Sequence, residues 1–209
     1  MTANPIAGLP ADIDDIKGFL AQDEAEALYL HAREASGRGA VLEIGSYCGK
    51  STIYLGLACR AANGTVFALD HHRGSEEHQQ GEFFHDPELF DSGEGLVDTF
   101  REFRRNIRRA GLEDVVVPIV AGSEQAARHW RTPLAMVFID GGHSLDAAVT
   151  DYRCWEPHLA RGGILAIHDI FEDAHEGGQA PHAIYRMACA SGLFKDLGRV
   201  NSLGLLRRL

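Results

Sequence analysis

Five short apolar runs alternate with helix-like segments along this chain, and that alternation leaves few folds open. AVLEI (40–44), TVFALD (65–70), DVVVPIV (114–120), LAMVFID (134–140) and GGILAIHD (162–169) each have the length and character of a buried strand. Between them, KSTIYLGLACRAA (50–62), the stretch carrying Leu96, Phe100, Phe103 and Ile107, and residues 144–160 show the three-to-four-residue apolar spacing of helices. Strand and helix taking turns five times predicts an α/β fold: a Rossmann-like, doubly wound sheet, mostly parallel, with helices on both faces. A last helix near 182–191 precedes the tail FKDLGRVNSLGLLRRL, which divides at Asn201-Ser202 into an antiparallel C-terminal strand pair.

Residues 1–37 read as an N-terminal helical arm and 38–209 as the main domain. In the arm, Asp23-Glu24-Ala25-Glu26 has the form of a capping box with Asp23 as the cap, opening a helix that stops at Gly37. Residues 71–97 are mostly polar and glycine-rich, a lid-like insertion in an otherwise compact domain. There His71, His78 and His85 recur every seven residues, but Gly74, Gly81 and Pro87 break any helix that would align them on a metal. A polar substrate lid is the expectation, with Phe83, Phe84 and Phe90 placed to close over an apolar substrate. Arg101, Arg104, Arg105, Arg108 and Arg109 share a helix with an apolar stripe and read as its solvated face.

Thirty acids against twenty bases give a formal charge of −10, a balance that repels phosphate backbones and argues against nucleic acid as a partner. No run approaches the roughly 20 apolar residues of a membrane span. The four cysteines (48, 59, 154 and 189) form no C-x-x-C pair and read as reduced thiols of a cytoplasmic protein. The arm could trade between subunits of a homo-oligomer.

In an open parallel sheet, ligands sit at the carboxyl ends of the strands. The first strand runs into Glu43-Ile44-Gly45-Ser46-Tyr47-Cys48-Gly49-Lys50-Ser51-Thr52, a glycine-rich strand-to-helix turn. It is a poor dinucleotide fingerprint, because Tyr47 and Lys50 stand where the second and third glycines belong. As a P-loop it is one residue short between Gly45 and Gly49, which removes one amide from the phosphate nest. The third pattern fits: acid-x-Gly-x-x-x-Gly, with a second acid, Asp70, at the tip of the next strand, placed to accept both ribose hydroxyls. Further on, Asp140, His168 and Asp169 lie at the tips of the fourth and fifth runs, neighbours if those strands pair. Two carboxylates and an imidazole suit a divalent metal, Mg2+ or an Mn2+/Fe2+-type ion. His143, two glycines beyond Asp140, can fold back over the same pocket as a general base.

With Glu43, Gly45, Gly49, Asp70 and AGSEQ (121–125) in register, residues 38–209 resemble the class I S-adenosylmethionine-dependent methyltransferases. D-G-G-H followed by His168-Asp169 is similar to the metal-dependent small-molecule O-methyltransferases, both the catechol/caffeoyl-CoA type and the mycinamicin sugar methyltransferase/cephalosporin-hydroxylase-like branch. His168 departs from that group's acid. The resemblance implies that Glu43, Gly45, Ser46, Gly49 and Ser51 hold the methionine part of S-adenosylmethionine. It implies Asp70 and His71 at the adenosine, Gly122 and Ser123 at the adenine edge, and Asp140 between cofactor and metal. It implies methyl transfer to a small-molecule hydroxyl. A non-catalytic S-adenosylmethionine-binding protein, a P-loop-like nucleotide binder and a non-heme iron oxygenase stand as the alternatives.

Overall fold

The computed structural model describes residues 6–75, 79, 81–82 and 85–209. His78, Phe83 and Phe84, singled out above, lie outside the described residues. A seven-stranded sheet runs in the order β5 (Val116–Val120), β2 (Val66–Asp70), β1 (Ala40–Ile44), β6 (Leu134–Ile139), β7 (Leu159–Ile167), β9 (Leu203–Arg208), β8 (Phe194–Val200). The first five are parallel; β9 is antiparallel to both β7 and β8. This is the expected fold class, with the tail turning at Asn201-Ser202 as the sequence predicts. A two-residue hairpin, β3 (Phe90–Asp91) and β4 (Leu96–Val97), lies in the insertion.

Central parallel strands are covered on both faces, so they read as unbroken apolar runs: all six residues of β6 are buried. Alternation sends Val41, Ala68, Met136, Phe138, Ile164 and Ala166 to one core. That core also takes α1 (Gln22–Ser36), α2 (Lys50–Ala61) and Phe103 and Ile107 of α3 (Phe100–Arg109). Leu42, Leu69, Val137, Ile139, Leu165 and Ile167 face the other core, closed by α5 (Leu145–Trp155) and α6 (Ala180–Ala190), with α4 (Ser123–Ala127) beside it. Trp155 is fully buried there and Trp130 packs edge-on against it, 5.2 Å between ring centres. The arm is part of this packing, since Ile6, Ile13, Ile16, Leu28 and Ala32 all enter the first core.

Three local expectations change. The α1 cap is Ala21: the Glu24 carboxylate reaches back to the Ala21 N–H at 3.0 Å, two residues earlier than an Asp23 cap, and Asp23 bonds Asn201 instead. Helix α5 ends at Trp155 because Pro157 follows, and β7 begins at Leu159. Leu96 is exposed in β4, outside the α3 stripe. The five arginines of α3 are exposed, as the stripe predicts. Among the described residues, no helix is long and apolar enough to cross a membrane.

Candidate active site

At the carboxyl ends of the parallel strands lies a cavity of about 720 Å³. It opens where the chain, having laid β2 and β5 on one side of β1, returns to lay β6 on the other. Register brings the tips together: Glu43 pairs Phe138, and Ile139 pairs Ile167. The Asp140 N–H donates to the Ile44 carbonyl at 2.8 Å, and the His168 N–H to the Ile139 carbonyl at 3.0 Å.

The glycine turn forms one wall. Gly45 has φ +87°, and a Cβ there would lie 2.0 Å from the Asp140 carbonyl oxygen, so no side chain fits at this crossing. Gly49, at φ +90°, is the N-cap of α2. Ser46 lines the cavity at 1% exposure, and its hydroxyl has no partner among the described residues. Ser51 also lines it, but its hydroxyl donates to Glu43 at 2.6 Å.

Glu43 is placed differently from the expectation. It points from β1 toward α2, is fully buried, and does not line the cavity. Its carboxyl takes the hydroxyls of Ser51 and Thr52. Burial pushes it up to about 8, the two hydroxyls pulling the other way. Glu43 is therefore a strut that fixes the start of α2, and the cavity-facing residues of the turn are Gly45, Ser46, Tyr47, Lys50 and Ser51.

Asp70 lies on the wall as expected. Its two oxygens accept the backbone N–H groups of Tyr47 at 2.8 Å and His72 at 2.6 Å, tying the turn to the β2 tip. His71, Gly122 and Ser123 line the cavity beside it. His85 is elsewhere, its ring edge-on to Phe90 at 5.8 Å.

Opposite stands a chain of alternating acids and imidazoles. His168 Nδ1 lies 3.0 Å from Asp140 Oδ1 and 3.4 Å from Asp169 Oδ1, and His143 Nε2 lies 3.0 Å from Asp169 Oδ2. The cap of α5 is Ser144, whose hydroxyl accepts the Ala147 N–H at 3.3 Å, so His143 is not needed as a helix cap. Asp169 has φ +57°, and this left-handed turn brings its carboxylate back beside His168 where strand alternation would send it to the opposite face.

Two residues of this region were not anticipated. Glu24, 3% exposed on α1, accepts from His168 Nε2 at 3.0 Å while its other oxygen takes the Ser202 N–H at 2.8 Å and hydroxyl at 2.7 Å. Burial opposes charge on both partners of this pair, yet the bonds prevail: Glu24 is held at about 2 and His168 is raised to about 11 by Asp140, Glu24 and Asp169. Asp151, on α5, lines the cavity; burial pushes its carboxyl up to about 6 against a bond from Ser123. Neither lies near a glycine motif or a strand tip, the two signals that locate the rest.

Among the described residues, Asp140, His168 and Asp169 are the group whose ligand atoms converge as a metal would require, all within 4.8 Å. Donors about 2.0–2.1 Å from a Mg2+-type ion at right angles are roughly 3.0 Å apart, close to the spacings here. Glu24 would hold Nε2 protonated and leave the Nδ1 lone pair toward the acids, the outer partner that metal-binding histidines characteristically have. The residues fit a divalent cation.

An open α/β sheet with a glycine turn, an acid at the second strand tip and an acid–imidazole cluster at the fourth and fifth parallel-strand tips (counted along the chain) defines a Rossmann-like fold with one candidate site. The family model described as a methyltransferase domain matches residues 42–170, well over half of the chain. The chain belongs to this methyltransferase-domain family. Solved structures share the fold. Rv0187 from MTB, solved with cofactor bound, is 18% identical with TM-score 0.66, over 95% of this chain and 86% of that one. The O-methyltransferase NovP is 16% identical with TM-score 0.67, over 89% and 79%. An O-methyltransferase from Bacillus cereus, in complex with SAH, is 18% identical with TM-score 0.62, over 93% and 86%.

Proposed function

We propose that this protein transfers the methyl group of S-adenosylmethionine to a hydroxyl of a small molecule, with His143 as general base and a divalent metal assisting. The observation that carries the reading is the meeting, on one cavity, of the Ser46–Asp70 wall with Asp140, His143 and Asp169, which the buried His168 ties together from behind the wall. The names of the similar structures, O-methyltransferases among them, support it. The buried, unpartnered Ser46 hydroxyl calls for a polar ligand group, which the methionine part supplies. Asp70 is held by two backbone amides and keeps lone pairs for the ribose hydroxyls.

When bound, S-adenosylmethionine supplies an electrophilic methyl with a thioether leaving group, and a divalent cation lowers the pKa of a hydroxyl beside it. Asp140, Asp169 and His168 Nδ1 would hold the cation. His143, oriented by Asp169 through Nε2, takes the acceptor's proton at Nδ1. The cavity walls would position the acceptor hydroxyl against the bound cofactor, whose chemistry is displacement at the methyl carbon with the thioether as leaving group. Residues 17–20 of the arm and Gly74 and Ser75 of the insertion also line the cavity and would border the acceptor. The sequence's acidic charge accords with an enzyme that acts on small molecules rather than on nucleic acid.

One observation favours a second reading of the cluster. Both His168 nitrogens face carboxylates, so a proton on Nδ1 could hold Asp140 and Asp169 together in the cation's place. Methyl transfer from radiolabelled S-adenosylmethionine, measured across a panel of small alcohols and phenols before and after EDTA dialysis, separates the two. Loss of activity, restored by Mg2+ or Mn2+, is expected; full activity after dialysis removes the metal. In the same assay His143→Ala is expected to lower turnover about 10²–10⁴-fold with S-adenosylhomocysteine binding unchanged. Undiminished turnover removes the base.

A further inference from the structure

The acid on α5 has an arrangement that the mechanism above does not use. Trp155 Nε1 donates to the Ser123 hydroxyl at 2.9 Å, and that hydroxyl donates to Asp151 Oδ1 at 2.5 Å. Trp155 is fully buried and rigidly packed, so the relay fixes the carboxyl plane. It also occupies Ser123, whose one proton is committed to Asp151 and is not available to a ligand. Asp151 Oδ2 lies against Gly141, where a Cβ would stand 2.6 Å away, and among the described residues nothing donates to it. Its titratable neighbours are Asp70 and His71, which line the wall where the proposed cofactor's nucleoside would lie.

A carboxylate oxygen in this position can only accept. The ring nitrogens N1, N3 and N7 of adenine are acceptors and would meet it with like polarity; the exocyclic 6-amino group is the donor that the base offers. We propose that Asp151 Oδ2 accepts this amino group, making Asp151 the residue that selects adenine over 6-oxopurines, with Ser123 and Trp155 as its positioning residues. Gly141 follows from the same contact, because any side chain there displaces the carboxylate. The inference rests on the proposed cofactor.

Calorimetric titration with S-adenosylhomocysteine and with S-inosylhomocysteine, which carries a 6-oxo group, tests it on the native chain. A bond to a charged acceptor is expected to give a preference of 10-fold or more for the adenosyl compound. Asp151→Asn keeps the Ser123 bond and presents an amide that can pair with a 6-oxo group; its preference is expected to collapse to within about 3-fold, with its thermal unfolding recorded alongside. Equal binding of the two compounds by the native protein, or an undiminished preference in a folded D151N, overturns the assignment of Asp151 and leaves the cofactor reading standing. Binding of neither compound by the native protein overturns the cofactor reading itself.

Discussion

Replacing Glu24 by alanine should destabilise this protein more than any single surface change. The carboxylate is buried and accepts from His168 Nε2, the Ser202 N–H and hydroxyl, and the Ala21 N–H. Ala21 is exposed and turns to water, and the Ser202 hydroxyl can rotate. The His168 ring and the Ser202 amide are left without their partner. A stranded buried donor costs about 1–3 kcal/mol, and breaking a buried charged pair about 3–5 kcal/mol. Together these set the loss at about 3–5 kcal/mol, against about 5–15 kcal/mol for a whole domain. At about 2–4 °C per kcal/mol for a chain this size, Tm should fall by about 6–20 °C. Thermal unfolding followed by circular dichroism, with urea unfolding as the cross-check, measures it. The pH dependence has a defined sign. Glu24 is held down from 4.5 to about 2, so its contribution is present above 4.5 and lost as pH falls toward 2. His168 is raised from 6.5 to about 11, so its contribution is complete below 6.5 and fades as pH rises toward 11. The gap between native protein and E24A is therefore widest between about pH 4.5 and 6.5. A Tm within 2 °C of the native value in that window would refute the reasoning.

Glu43→Gln should act in the opposite direction. Its carboxyl is raised by burial from 4.5 to about 8, so the native protein loses stability as pH climbs through that interval. The amide variant should lack this decline and match or exceed native Tm at pH 8.5; a Tm well below native there would show that the charged form is what Ser51 and Thr52 hold. Gly45→Ala drives a methyl into the Asp140 carbonyl, a backbone atom that cannot rotate away, at a left-handed φ. It should cost several kcal/mol or part β1 from β6 at the site, seen as at least 10-fold weaker S-adenosylhomocysteine binding; unchanged Tm and binding would mean that the crossing is looser than described.

The parallel sheet was legible because its central strands are buried on both faces, which forces unbroken apolar runs such as LAMVFI; the tips then follow from where each run stops. Asp140, His168 and Asp169 were legible for that reason, as strand ends that pairing must bring together. Glu43 was misplaced because an acid one residue before a strand ends can serve either face, and its parity with Val41 turns it toward α2. Glu24 looked like part of a helix cap, which it is: one oxygen serves the Ala21 N–H and His168 together, and no local pattern announces the second use across 144 positions. Asp151 gives even less signal, since an acid on a helix reads as solvated until the helix is docked.

The cluster's geometry follows from two departures from regular strand structure, and each has a compensation nearby. Continuing β7 regularly would leave His168 facing the α1 side and Asp169 the α5 side, with no shared target. The left-handed residue at 169 breaks that alternation at a cost of order 1 kcal/mol, modest because an aspartate tolerates the region. What offsets it is on both sides of the turn: Ser202 accepts the next backbone N–H, that of Ile170, at 3.0 Å through its carbonyl, while its own N–H and hydroxyl bind Glu24. The β8–β9 turn thus braces the left-handed residue and the acid behind His168 at once. That brace ties the antiparallel strand pair to the site: it holds the imidazole against Asp140 and the Asp169 carboxylate against His143.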